Sequence, residues 1–256
     1  MTPNLLVLGG TSEASDLARE LASRNLQATL SYAGRVARPR RQPLPCRVGG
    51  FGGVEGLASY LRDNRITHLI DATHPFAAQI SRNAVAASAL AGVPLLALTR
   101  PPWKPQAGDD WLEVPDISAA VAALSGPAQR VMLAVGRQPL AAFAAQPQHH
   151  YLLRVVDEPE SPPPLPNHSL VVSRGPFTEA EDAALLRRHR ISLLVAKNAG
   201  GRGAVAKLTA ARSLGLRVIL IARPPLPARR EVESVEAVCA WLDHGASTET
   251  VAERGV

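Results

Sequence analysis

The chain is short of aromatic side chains. Its 256 residues include only three Trp, three Tyr and four Phe. Ala, Leu and Val must therefore fill the interior, which favours buried parallel strands beneath Ala-rich helices over an all-β sandwich. Cysteine is scarcer still. Cys46 and Cys239 stand far apart with no CxxC pair, so no structural zinc is expected and a reducing, intracellular setting is. No apolar run reaches membrane-spanning length. MTPN leads straight into a strand, with no charged n-region and no apolar h-region, so no secretory signal is read and a cytoplasmic location is expected. G-x-S-x-G, the P-loop and HExxH are all missing, as is any class-defining metal cluster; nucleophile-elbow hydrolases are excluded and no metal is expected.

What is present is a basic and moderately apolar chain. Twenty-eight basic residues oppose 22 acidic ones, for a net charge of +6, and 46% of residues are hydrophobic. The apolar share is enough to bury a core. The charge favours an anionic partner, whether nucleic acid, a polycarboxylate or a phosphorylated cofactor. No basic stripe with interleaved aromatics is visible, so nucleic acid is not expected.

Strand patterns alternate with helix patterns. NLLVLG precedes SEASDLARELASR, and QATLSYAG follows. VEGLASYLRDN then leads to THLIDA, and AAQISRNAVAASALAG to VPLLALT. This β-α-β-α order implies a parallel sheet with helices on both faces. The second half repeats it. RVMLAVG with PLAAFAAQ answers NLLVLGG and its helix. LRDNRITHLIDATHP (61–75) stands beside LRRHRISLLVAKNAG (186–200) at an offset of 125 residues, and GVPLLALTRPP beside GLRVILIARPP. The fold class expected is α/β: two similar Rossmann-like domains with parallel sheets and an active site in the cleft between them. The proline-rich RPPWKP (100–105) sets the boundary, giving an N-terminal NADP-binding domain over 1–99 and a substrate-binding domain over 100–256.

The first βα turn reads LGGT. Gly9 and Gly10 allow close approach to a phosphate, and Thr11 or Ser12 can cap the helix whose first N–H groups face an anion; the alternative is a plain tight turn. Glu13 would repel a pyrophosphate and is expected to point away. NAD enzymes carry an acid at the end of the second strand, about 20 residues on. Here LSYAGR has none; Ser31 and Arg35 suit a 2′-phosphate, and so NADPH. VGGFGG, with Gly49 and Gly50, follows the third candidate strand and is either a packing surface or a loop. DATHPFA is the most informative stretch. Ala72, Thr73 and His74 form a turn before Pro75 and are expected to contact the cofactor, with a helix directly after it that offers a second anion-ready terminus. His74 is the candidate proton donor or positioning group, and Asp71 is alternatively a structural cap. In the second half Lys197, Asn198, Gly200, Gly201 and Lys207 occupy the equivalent place and suit substrate carboxylates.

Taken together, LGGTSEA, VGGFGG, IDATHPFA with SRNA after it, LTRPP, AKNAGG and AARSLGLRVILIARP resemble the precorrin-6A reductase family of cobalamin biosynthesis. The motifs run in family order over residues 5–225. Phe76 stands where members often carry Tyr. The resemblance implies reduction of a macrocycle double bond of a polycarboxylated tetrapyrrole by a nicotinamide nucleotide. NADPH is then the expected cofactor and precorrin-6A the expected substrate, in a monomer or weak homo-oligomer. A cobalt-precorrin-6A reductase and a non-enzymatic anion binder are the alternatives.

Overall fold

The structure is a computed structural model and describes residues 3–33, 41–201 and 203–244. Arg35, expected near a 2′-phosphate, lies outside the described residues. The chain forms two compact units.

The first unit is built on a six-stranded sheet. Its elements in chain order are β1 (Asn4–Leu8), α1 (Ser12–Ser23), β2 (Gln27–Tyr32), β3 (Cys46–Val48), α2 (Gly53–Asp63), β4 (His68–Asp71), α3 (Ala78–Ala91) and β5 (Leu95–Leu98). The second unit contains β6 (Asp110–Val114), α4 (Ile117–Ala122), β7 (Arg130–Ala134), a 3-10 helix (Leu140–Ala145), β8 (His150–Val155), β9 (His168–Val172), α5 (Glu179–Arg188), β10 (Leu193–Lys197), α6 (Ala206–Ser213) and β11 (Arg217–Ile221). The chain then returns to the first unit through β12 (Glu231–Val232) and α7 (Val235–Asp243).

Strand order is β3-β2-β1-β4-β5-β12 in one sheet and β9-β8-β7-β10-β11-β6 in the other. All pairings are parallel. Both are doubly wound sheets that reverse direction of growth, between β1 and β4 in one and between β7 and β10 in the other. The repeat read from the sequence is therefore topological. It extends to backbone detail: Arg65 and Arg190, 125 residues apart, both adopt left-handed φ, at 51° and 52°. At each, the following isoleucine N–H closes the helix end onto a leucine carbonyl, Ile66 to Leu61 at 2.8 Å and Ile191 to Leu186 at 2.9 Å.

Each sheet takes its sixth strand from out of order. β6 follows β5 in sequence but pairs with β11, while β12 follows β11 but pairs with β5. This corrects the expected division into 1–99 and 100–256. The chain from Pro225 onward belongs with the residues up to Arg100, and the second unit is Pro101–Pro224. The physical reason is apolar. Val238, Trp241 and Leu242 of α7 are buried in one core with Leu17 and Leu21 of α1, and the Trp241 ring meets the His68 ring edge-on at 5.2 Å. The opposite face of that sheet is covered by α2 and α3. In the second unit, α5 and α6 pack over Met132, Leu152, Leu194 and Val218.

A second correction concerns PLAAFAAQ. It forms the 3-10 helix rather than an α-helix answering α1. Pro139 sits just before it, and Tyr151, fully buried, donates its hydroxyl to the carbonyls of Phe143 and Gln146 at 3.1 and 2.9 Å. Burial pushes that phenol up to about 12.

Trp241→Ala is expected to cost about 3–5 kcal/mol by leaving a cavity between α1 and α7, measured as a lower urea midpoint. Burial also lowers the pKa of His68. The folded ring stays neutral where the unfolded ring binds a proton, so this contribution to stability is present above the unfolded value of about 6.5 and is lost as pH falls below it. Denaturation curves of His68→Gln should show a flatter decline in stability between neutral and acid pH.

Candidate active site

The switch point of the first sheet lies between the carboxyl ends of β1 and β4, where open α/β sheets bind ligands. β1 runs into Gly9–Thr11 and β4 into Asp71–His74. The two turns are bonded to each other: Thr11 Oγ1 donates to the Ala72 carbonyl at 2.8 Å and accepts from the Ala14 N–H at 3.1 Å, capping α1.

Asp71 anchors the second turn. Its carboxylate is 2% exposed. Oδ1 accepts from the Thr73 N–H at 3.1 Å and the Thr73 hydroxyl at 2.6 Å. Oδ2 accepts from Ser81 of α3 at 2.6 Å and from Arg229. Arg229 belongs to the returning segment just before β12, is nearly buried, and also donates to Glu231 at 2.9 Å. One carboxylate thus ties together a strand end, a helix and the C-terminal return. A buried charge needs this full set of partners, because taking it out of water is costly unless every lone pair is met.

The glycine turn has the shape a phosphate requires. A Cβ on Gly9 would stand 2.7 Å from the Leu30 side chain, so the turn packs directly on β2. Gly10 has φ +122° with open space beside it. The first N–H groups of α1, a twelve-residue helix, follow at once. The Glu13 carboxylate pairs with Arg100 at 3.2 Å and accepts from the Ser12 hydroxyl at 3.0 Å. These features fit a dinucleotide phosphate. The second unit offers no counterpart, since a 3-10 helix follows β7.

Ser31 is the last residue but one of β2 and is buried. Beside it on β3, Arg47 donates to Ser31 Oγ at 3.3 Å and to the carbonyls of Gly49 and Gly50, both at 2.6 Å. His74 accepts the Phe76 N–H at Nδ1, 3.2 Å away, which places the proton of the neutral ring on Nε2. The helix expected directly after Pro75 begins three residues later, at Ala78, with no side-chain cap. A turn closed by the Ala77 N–H on the His74 carbonyl at 2.7 Å takes up the intervening residues.

In the second unit the strand end after β10 is a packed corner. Asn198, expected to face substrate, has both amide atoms on the backbone of Trp103: Oδ1 accepts its N–H at 2.8 Å and Nδ2 donates to its carbonyl at 3.0 Å. A Cβ on Gly200 would meet the Pro101 carbonyl at 2.2 Å, and the Gly201 carbonyl accepts the Trp103 indole N–H at 2.8 Å. These three residues thus shape the corner. Lys197 ends β10. Lys207, on α6, donates to the Ala204 carbonyl and lies 5.3 Å from the Trp103 ring centre. Trp103, Arg47 and Arg229 are residues the sequence reading passed over. Arg47 was detectable as the residue immediately before VGGFGG; Arg229 carries no local pattern.

Comparison with known proteins agrees with this layout. The family model described as precorrin-6x reductase CbiJ/CobK matches residues 4–243. A precorrin-6A reductase of Rhodobacter capsulatus is 60% identical over 244 residues, which cover 95% of this chain and 97% of that protein. A cobalt-precorrin-6A reductase of Salmonella typhimurium is 31% identical, covering 93% and 97%. A solved CobK precorrin-6A reductase superposes with a TM-score of 0.92 at 59% identity, over 97% of this chain and all of that one.

Removing the Asp71 charge leaves Arg229 paired, among the described residues, with the exposed Glu231 alone. Asp71→Asn is expected to destabilise by about 3–5 kcal/mol, against about 1–2 kcal/mol for Ser81→Ala. In urea titrations the double variant Asp71→Asn/Arg229→Gln should lose clearly less than the sum of the two single variants.

Proposed function

The chain belongs to the precorrin-6x reductase family, and from that premise we propose that it catalyses the NADPH-dependent reduction of a macrocycle double bond of precorrin-6A, giving precorrin-6B in cobalamin biosynthesis. It is an oxidoreductase, and a reductase of this family implies a nicotinamide cofactor. The observation that carries the reading is the switch point of the first sheet, where a glycine turn, the start of α1 and the Asp71 turn meet. The choice of the phosphorylated nucleotide rests on the end of β2, which offers Ser31 and no acid to hold a ribose 2′-hydroxyl. Arg35 adds a cation in the sequence after it. The cobalt-free substrate is favoured by 60% identity to a precorrin-6A reductase against 31% to a cobalt-precorrin-6A reductase.

The nicotinamide supplies the hydride. The chain's own residues do the rest. Thr11 and the glycines hold the phosphate-binding turn, and Asp71 sets the direction of Thr73 and His74. His74, with its proton on Nε2, is the proton donor or the positioning group beside the reacting ring. Lys197 and Lys207 meet the carboxylates of the substrate, and the net charge of +6 attracts a polyanion. Such attraction weakens as salt rises, so KM for the tetrapyrrole should increase with ionic strength while kcat stays level.

The test is isotopic. With NADPH deuterated on the transferred position at C4, the purified protein should yield a product two hydrogens heavier than precorrin-6A, one of them deuterium. Failure to consume NADPH in the presence of precorrin-6A sinks the reading. His74→Gln should lower kcat by about 10²-fold without abolishing turnover and without changing NADPH affinity; full activity in that variant removes the proton role.

A further inference from the structure

Among the described residues Arg47 is a cation with no ion-pair partner, at the strand end where the adenosine ribose of a dinucleotide lies in sheets of this order. It stands on β3 in register with Ser31 at the carboxyl end of β2. Its guanidinium is held from several sides. Nη1 donates to Ser31 Oγ and the Gly49 carbonyl, and Nη2 to the Gly50 carbonyl. The Phe51 ring lies 3.8 Å from its central carbon, and the Tyr60 ring 5.3 Å. Every one of these partners is neutral. Among the described residues no ion pair includes Arg47. Four other half-buried arginines do carry an ion pair: Arg229 with Asp71, Arg154 with Asp182, Arg212 with Asp109 and Arg100 with Glu13. Arg47 is thus fixed in place with its full charge retained.

The donor count points the same way. A guanidinium carries five N–H groups. Three are spent on Ser31, Gly49 and Gly50, leaving Nε–H and one hydrogen of Nη2 on adjacent nitrogens. That edge matches two oxygens of a phosphate in the bidentate manner that arginine favours. The hydroxyl of Ser31 adds a third polar group.

We propose that Arg47 is the residue that selects NADPH over NADH, by binding the 2′-phosphate through its outward edge while its other donors keep the glycine loop in shape. The assignment rests on the dinucleotide reading of this strand edge. It differs from that reading in its test, because it concerns the ratio of two affinities and needs no substrate.

NADPH and NADH are titrated calorimetrically against the wild-type protein, Arg47→Gln and Arg47→Lys. The expected result for Arg47→Gln is a loss of about 30-fold in NADPH affinity with NADH affinity unchanged. Arg47→Lys keeps the charge but not the planar fork, so it should lose about tenfold for NADPH and nothing for NADH; it also decides the matter if the glutamine variant does not fold. Equal weakening of both nucleotides overturns the proposal, since Arg47 would then only hold the glycine loop. Unchanged NADPH affinity overturns it as well. Wild-type protein that binds neither nucleotide, or both equally, removes the NADPH reading itself and this assignment with it.

Discussion

The buried carboxylate of Asp71 is the constraint on which the first unit's functional edge depends. It sits at the end of a central strand with all its acceptor positions filled. Three otherwise separate pieces of chain take their positions from it: the Thr73–His74 turn, the first turns of α3 and the segment returning before β12. Through Ala72 and Thr11 the same constraint reaches the glycine turn. The cost of an unpaired buried charge makes the arrangement all-or-none. The turn that carries His74 is therefore set by an arginine 158 residues away in sequence.

Two units with one topology differ where it matters. Each sheet switches direction at the same place, and each presents a loop there. In the first unit the loop is followed by a twelve-residue helix and its N–H groups are available to an anion. In the second the equivalent position has a 3-10 helix, anchored by the buried Tyr151 hydroxyl, and the β10 corner is occupied by Trp103. The fold supplies two candidate sites; local chemistry leaves one suited to a phosphate. The exchange of sixth strands places the C-terminal helix on the first unit rather than on the unit that precedes it in the chain.

The α/β alternation, the parallel sheets and the internal repeat were legible because they rest on local periodicity and on motifs such as RPP and LRxxRI that recur in order. The return of residues 225–244 to the first unit was not legible. β12 is only two residues long, and no short-range pattern says which of two similar sheet edges it joins. Asn198 was read as a substrate donor because its type and position at a strand end suited that role; its bonds to the backbone of Trp103, 95 residues away, had no local signal. Arg229 escaped for the same reason. Side chains whose roles are set by distant partners leave no trace in spacing, whereas turns that serve a ligand do.

The central claim is that the nucleotide occupies the switch point of the first sheet. Hydrogen exchange of the protein with and without saturating NADPH tests it directly. The account predicts slowed exchange at residues 9–14 and 72–77, with 136–140 and 197–201 unaffected. Protection confined to 136–140 and 197–201 would place the nucleotide on the second unit and contradict it.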